Sequence, residues 1–528
     1  MSRATPSGHR AAESPQAVPP GQAAPRGALV GHAVADWAVA TPERIALAEP
    51  GGRRRTYGEL DARANRFAHG LLANGLVRGD RVAIWLGNRI EYLETYLACA
   101  KAGLVVVPVN IRFTAEEARF VLEDSGARAL VHQGSVAGAV AELDLATALR
   151  PCLDVDGPGE PFERFLGAGA AVAPPEPDPD ALLVIGYTSG TTGFPKGAEL
   201  THRSITHLGL TNALSCRYSL GSVQIFGLSL SFTATVPAHV LPHLAVGGTT
   251  LLMPRWETDR VVAEIATHRA DFVILPGPEI PGFAELAGRD PAAVASLRSV
   301  LHSASKARPE DLERLVGAIG PRLVEGWGMT ENSGGLLTAT TERDYTDDVP
   351  GIFASVGRAV PGTTVTVLDE AGEPLPHDGT TVGQLVATSG SVARGYWRRP
   401  DATEATFGGG RYRTGDLGSV DERGYVSIMD RRSDLIVSGG MNVYPSEIER
   451  VLAGIDGVVE CAVVGTPHPR WGQTPVAFVV APGRSAPELL DRCRRSLAGY
   501  KLPSRVVLRE ALPRNASGKI VRSALSLD

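Results

Sequence analysis

The chain has 528 residues, 43% of them hydrophobic, and a formal net charge of −6. Such a chain can bury ample core in more than one domain, and its acidity argues against a nucleic-acid binder. Five scattered cysteines, none in a CxxC pair, suggest neither a disulfide framework nor a zinc site and fit a reducing cytoplasm.

The first 27 residues are rich in Ala, Pro and Gly and lack an apolar signal core, so residues 1–27 read as a disordered tail. No segment approaches the roughly 20 apolar residues of a membrane span. "RVAIWLGN" from Arg81, the helical "EYLETYLACAKAG" from Glu91 and "LVVVPVN" from Leu104 predict a βαβ-like unit, and "ARALVHQ" from Ala127 repeats it. A Pro/Gly/Ala-rich linker from Gly167 to Asp180 precedes the apolar run "ALLVIGY", read as a buried strand.

That strand leads into "TSGTTGFPKG", Thr188 to Gly197. Gly190, Gly193 and Gly197 are expected to take φ > 0 and bring backbone N–H groups to an anion. Thr188, Ser189, Thr191 and Thr192 add hydroxyl donors, and Lys196 adds a mobile charge. The segment reads as a phosphate-binding loop. It lacks the GK[ST] ending of the GTPase-type loop, because Gly197 follows the lysine.

Further buried strands are expected at "TTLLM" (Thr249), "DFVILPG" (Asp271), "RSVLHSAS" (Arg298) and "RLVEGWGMTE" (Arg322). "GQLVATSG" and "GYVSIMD" suit antiparallel strands of a small β subdomain. Ile448, Val451, Leu452 and Ile455 stand at i, i+3, i+4, i+7 of a helix, and "VVECAVVG" and "TPVAFVVA" follow, which predicts a compact C-terminal α/β domain. No HExxH or GxSxG occurs, so zinc-protease and serine-hydrolase readings start at a disadvantage.

Four more polar clusters follow the glycine-rich loop in order: "GWGMTEN" (Gly326 to Asn332), "YRTGDLG" (Tyr412 to Gly418), "DRRSDLIVSGGMNVYPSEIE" (Asp430 to Glu449) and "PRNASGKIVR" (Pro513 to Arg522). This ordered series resembles the acyl-adenylating superfamily of acyl-CoA synthetases, non-ribosomal adenylation domains and luciferases. The likeness runs from about Ala35 to Ser526. It implies an α/β fold with a large N-terminal domain of layered α/β subdomains plus a small β subdomain (28–430) and a small mobile C-terminal domain (431–528). It also implies ATP, Mg²⁺ and CoA as cofactors and co-substrates.

By that resemblance, residues 188–197 hold the β- and γ-phosphates, Thr330 meets the α-phosphate and Glu331 holds Mg²⁺. Asp416 takes the ribose hydroxyls, Arg431 also reaches the nucleotide, and Trp327 stands where the family often stacks a tyrosine on adenine. Gly439 and Gly440 resemble the glycine strand that lines the pantetheine path. Lys519 resembles the lysine that bridges the substrate carboxylate and the α-phosphate. Three positions depart from the family pattern: Ser433 stands at the usual Asp or Lys pivot, "HSASK" (His302 to Lys306) replaces GGAP, and Phe232 replaces a frequent histidine.

Thr233 stands where amino-acid-activating members carry the aspartate that pairs with an α-ammonium, so an α-amino acid is disfavoured. Gly277 and Glu279 lie in the expected pocket segment "VILPGPEIPGF"; Glu279 suits either a donor on a polar acid or the surface. The leading expectation is a cytoplasmic acid:CoA ligase acting through an acyl-adenylate. Alternatives are a free-standing enzyme that loads a carrier protein or another nucleophile, adenylation of a non-carboxylic oxyacid, and a catalytically silent ligand-binding relative.

Overall fold

The apolar runs between Arg81 and Trp327 become strands of two mostly parallel sheets with helices packed on and between them. The computed structural model describes residues 29–527 except 144–148, 160, 168, 189–194, 304–306, 439–440, 498 and 516–517. The expected tail therefore lies outside the described residues.

Among the described residues the strands form four sheets. In the six-stranded sheet, Arg81–Trp85 pairs in parallel with Val105–Pro108 and with Ala129–His132, as the predicted βαβ unit requires. Leu182–Thr188 extends it in parallel, and Lys196–Thr201 closes it as an antiparallel edge strand. The nine-stranded sheet carries Val223–Phe226, Thr249–Leu252, Phe272–Ile274, Ser299–His302 and Leu323–Trp327 in parallel register.

The helix Ile90–Ala102 is buried along all 13 residues. Two of them are glutamates. Glu91 takes hydrogen bonds from Arg53 and Arg89, and Glu94 from Arg55 and Arg63, so each buried charge has more than one cationic partner. Burial pushes the Glu91 carboxyl up, but Arg53 and Arg89 outweigh it and hold the group down at about 2.

The four-stranded antiparallel sheet orders Thr363–Leu368, Gly383–Ser389, Tyr412–Val420 and Val426–Arg431, the small β subdomain read from the sequence. The last sheet joins Met441–Val443, Ile436–Ser438, Gly472–Val480, Glu460–His468 and Arg505–Leu508, with helices Pro445–Ala453 and Ala486–Ser496 against it. The predicted helical stripe is one residue too long. Ile455 falls beyond the helix, whose chain leaves at Gly454, yet it still packs on the same core. No helix of the described residues is long and apolar enough to cross a membrane.

Candidate functional site

The strand Leu182–Thr188 turns back on itself, so Thr188 and Lys196 are register partners at the mouth of a hairpin whose tip, 189–194, lies outside the described residues. The candidates Ser189, Gly190, Thr191, Thr192 and Gly193 fall in that tip. Thr188 Oγ1 donates to the Lys196 carbonyl at 3.4 Å. Gly197 corrects the sequence reading: its φ is not positive, and a Cβ there would meet Ile185 Cγ2 at 2.5 Å. The glycine is needed for close packing, not for left-handed backbone.

Gly186 serves the same purpose on the neighbouring strand, and sequence reasoning passed over it. A Cβ on Gly186 would meet Thr233 Cγ2 at 2.1 Å and Thr330 Cγ2 at 3.1 Å. The strand that leads into the expected phosphate loop, the expected acid pocket and the TE segment thus converge on one glycine. A glycine inside an otherwise apolar strand was the available signal.

Leu323–Trp327 ends in the 3-10 turn Thr330–Asn332. Glu331 in that turn accepts a hydrogen bond from Tyr396 Oη at 2.8 Å on Oε1, and its carbonyl accepts from Ala393 N at 2.8 Å. No arginine or lysine among the described residues pairs with it. One carboxylate with a free oxygen fits Mg²⁺, which takes few protein ligands and fills the rest of its octahedron with water and phosphate oxygens. Tyr396 was not foreseen from sequence. Its ring also lies under Lys196, whose Nζ is 5.3 Å from the ring centroid.

Asp416 is buried, with both oxygens engaged. Arg431 Nε lies 2.7 Å from Oδ1, and Trp327 Nε1 donates to Oδ2 at 2.8 Å. Burial raises its carboxyl above the ordinary value, against the pull of Arg431, Trp327 and Lys519. Trp327 is 6% exposed and packs with Leu337, Leu385 and Tyr412. Its observed contact is the hydrogen bond that holds Asp416.

Lys519 is carried by a tight turn in which its N–H donates to Asn515 Oδ1 at 3.0 Å and Gly518 takes φ +82°. The side chain keeps solvent contact, yet it sits in a crowded place. Surrounding protein and then Arg431 lower its ammonium, while Asp416 and Glu331 raise it. The terminal segment therefore sets its cation within electrostatic influence of Asp416 and Glu331, with no direct ion pair among the described residues. Arg522, just beyond it, binds Glu449 at 2.8 Å and Asp434 at 3.1 Å. Ser433 donates to the same Asp434 at 3.1 Å, in the exposed 3-10 turn Arg432–Asp434.

The remaining candidates divide. Thr233 is buried against Gly186, and half-buried Phe232 closes a turn in which its carbonyl accepts from Thr235 N at 2.9 Å. Gly277 and Glu279 form a short 3-10 turn. Glu279 Oε2 accepts from Thr258 Oγ1 at 2.5 Å, and that hydroxyl in turn accepts from Trp256 Nε1 at 2.9 Å, so the carboxylate has an internal partner. His302 is buried with Nδ1 2.7 Å from Glu325 Oε2; residues 304–306 of the "HSASK" segment lie outside the described residues, as do Gly439 and Gly440. The strands on either side of those two glycines, Ile436–Ser438 and Met441–Val443, pair antiparallel.

Lys196 and Glu331 on one tyrosine, and a buried Asp416 paired with Arg431, gather cations and carboxylates at one end of the two sheets, as a site for a charged nucleotide requires. The chain belongs to the AMP-binding enzyme family: the description "AMP-binding enzyme" matches residues 34–397, and "AMP-binding enzyme C-terminal domain" matches 447–519. It is an enzyme of the acyl-CoA synthetase type. It is 34% identical over 511 residues to the long-chain-fatty-acid–CoA ligase FadD13 of Mycobacterium tuberculosis, covering 94% of this chain and 97% of that protein. It is 35% identical over 485 residues to a feruloyl-CoA synthase of Amycolatopsis sp, covering 89% and 93%. A fatty acid–[acyl-carrier-protein] ligase, ScoC of Streptomyces coeruleorubidus, is 34% identical over 500 residues, covering 90% and 91%. The solved o-succinylbenzoate coenzyme A synthetase of Bacillus subtilis, in complex with ATP and magnesium ion, matches with a TM-score of 0.82 and 29% identity, covering 93% of this chain and 98% of that one.

Proposed function

We propose that the chain is an ATP- and Mg²⁺-dependent acid:CoA ligase acting on an alkyl or aryl acid without an α-amino group. The observation that carries this reading is the meeting of Lys196 and Glu331 on Tyr396, beside Gly186 with Thr233 and Thr330 packed against it. In the first half-reaction a carboxylate oxygen attacks the α-phosphorus of ATP and pyrophosphate leaves. Both reactants are anions, so placed positive charge is the main requirement. Lys519 holds the carboxylate against the α-phosphate, Thr330 donates to that phosphate, Lys196 and the hairpin from Thr188 hold the outer phosphates, and Asp416 with Arg431 fixes the ribose. Glu331 is the residue that would hold Mg²⁺, which screens the phosphate charge when bound.

In the second half-reaction the CoA thiol attacks the acyl carbon, AMP leaves, and the thiol proton passes to solvent or to a phosphate oxygen. Division of the chain at 430/431, a pivot at Ser433 and a pantetheine path beside Gly439 and Gly440 belong to this reading. So does the absence of an α-amino acid substrate, since Thr233 offers no carboxylate to a buried ammonium. Cytoplasmic placement accords with five free cysteines and with the use of ATP and CoA.

Similarity to ScoC favours one second reading, in which a carrier protein takes the place of CoA. A silent relative is disfavoured because Lys196, Glu331, Asp416, Arg431 and Lys519 are all present. The test is AMP release across a panel of carboxylic acids, with and without CoA. Thioester formation is expected; AMP formation without a CoA thioester would move the reading to another acceptor, and no AMP with any acid would remove it.

A further inference from the structure

We propose that Tyr396 is a positioning residue that sets Glu331 for the cation and Lys196 for the outer phosphates of ATP. The inference rests on the roles proposed above for those two residues. Lys196 opens an edge strand of the six-stranded sheet, whereas Glu331 follows a strand of the nine-stranded sheet. Nothing local in the chain keeps the two in register. The segment Ala393–Trp397 does so by bonding to both. Ala393 N donates to the Glu331 carbonyl at 2.8 Å, while Glu199 N donates to the Gly395 carbonyl at 2.9 Å and Trp397 N to the Gly197 carbonyl at 2.8 Å.

Tyr396 lies between these anchors and is itself fixed. Its N–H donates to Thr403 Oγ1 at 2.9 Å, its ring packs on Phe407 with centroids 5.3 Å apart, and its side chain is almost fully buried. Gly395 next to it has no room for a side chain, since a Cβ would meet Thr403 Cγ2 at 2.5 Å. From this fixed position the hydroxyl donates to Glu331 Oε1 and the ring face lies under Lys196 Nζ.

The division of labour follows from the two contacts. A donor on Oε1 turns Oε2 outward, and an outer partner of this kind orients a metal-binding carboxylate. A ring beneath the ammonium keeps Lys196 from collapsing onto Glu331 in a direct ion pair, which would occupy both charges before ATP arrives. Phenylalanine should therefore lose the first function and keep the second, and leucine should lose both.

The experiment is calorimetric binding of ATP and of AMP to the full chain, with no acid or CoA present, at a series of Mg²⁺ concentrations. Tyr396→Phe is expected to raise the Mg²⁺ concentration for half-maximal ATP affinity roughly tenfold. Its Mg²⁺-free ATP affinity and its AMP affinity should match those of the parent chain. Tyr396→Leu is expected to lower Mg²⁺-free ATP affinity as well, with AMP affinity kept. Glu331→Gln is the control for the underlying reading: an unchanged Mg²⁺ dependence in that variant removes Glu331 from the cation site. If Glu331→Gln shifts the dependence and Tyr396→Phe does not, the proposal for Tyr396 is overturned. Equal loss of ATP and AMP affinity in both Tyr396 variants overturns it too, because the residue would then serve packing alone.

Discussion

Arg431 Nε and Asp416 Oδ1 stand 2.7 Å apart, on residues that face each other across two antiparallel strands of the small β sheet. The register of the sheet thus sets a guanidinium against a buried carboxylate before any nucleotide is present. Arg431→Met should leave Asp416 ionising at higher pH, because its largest opposing influence to burial is gone. The ionised form is the hydrogen-bond acceptor. We therefore expect the acid limb of kcat/KM for ATP to move to higher pH, with ATP affinity lower by roughly tenfold or more at neutral pH. Rate profiles from pH 5 to 8 check this; an acid limb in the parent position would separate Arg431 from Asp416 function.

Lys519→Ala should slow adenylation by about 10² or more, the scale of losing one placed charge-stabilising donor. Thioester formation from a chemically made acyl-adenylate and CoA should persist. Comparing the two yields in a folded variant is the measurement, and equal impairment would show that the lysine is not confined to the first step.

Gly186→Ala places a methyl group 2.1 Å from Thr233 Cγ2. The expected result is a loss of roughly 1–3 kcal/mol in stability, with a larger fall in activity than the melting temperature alone would produce. Thr233→Ala should restore part of both when combined with it, since the methyl group would then occupy vacated space. Denaturant melts of the single and double variants measure the coupling, and simple additivity would contradict the contact.

The acid pocket makes its own forecast. Des-amino acids should be activated better than the matching α-amino acids, measured as pyrophosphate exchange, because Thr233 supplies no countercharge. Exchange with an amino acid at the rate of its des-amino partner would overturn that assignment.

Glu91 provides a pH signature of stability. Its folded value, about 2, lies below the ordinary 4.5, so its contribution is present in full above pH 5 and is lost as pH falls through the folded value. The shift corresponds to roughly 3 kcal/mol. Denaturant unfolding from pH 6 down to 3 should show a steeper decline in the parent chain than in Glu91→Gln, which is expected to be less stable at pH 7 but flatter. Parallel curves would mean that other carboxylates govern acid unfolding.

Most of the fold was legible because its signals are local. Short apolar runs between turn residues marked the strands, and the order of five motifs marked Lys196, Glu331, Asp416, Arg431 and Lys519. What escaped were relations made by distance. Tyr396 follows Lys196 by 200 positions and meets it only through sheet assembly. Gly197 looked like a residue chosen for left-handed backbone, yet Ile185 on the paired strand is what forbids a side chain there. Trp327 offered an aromatic face, and its bond to Asp416 was not legible from spacing. Glu279 likewise found Thr258, which no spacing rule connects to it.

Arg522 gives the terminal hairpin a mechanical property. One guanidinium clasps Asp434, the neighbour of Ser433, and Glu449 on the helix behind it. If the chain pivots at Ser433, as proposed above, the segment bearing Lys519 is braced to the fulcrum at one end and to the body of its own domain at the other. It is the far end of a stiff lever. On that proposal, a modest turn of the backbone at residue 433 would reach the ammonium of Lys519 with little slack, so that its withdrawal from the proposed nucleotide site and the swing of the whole domain would be a single stroke.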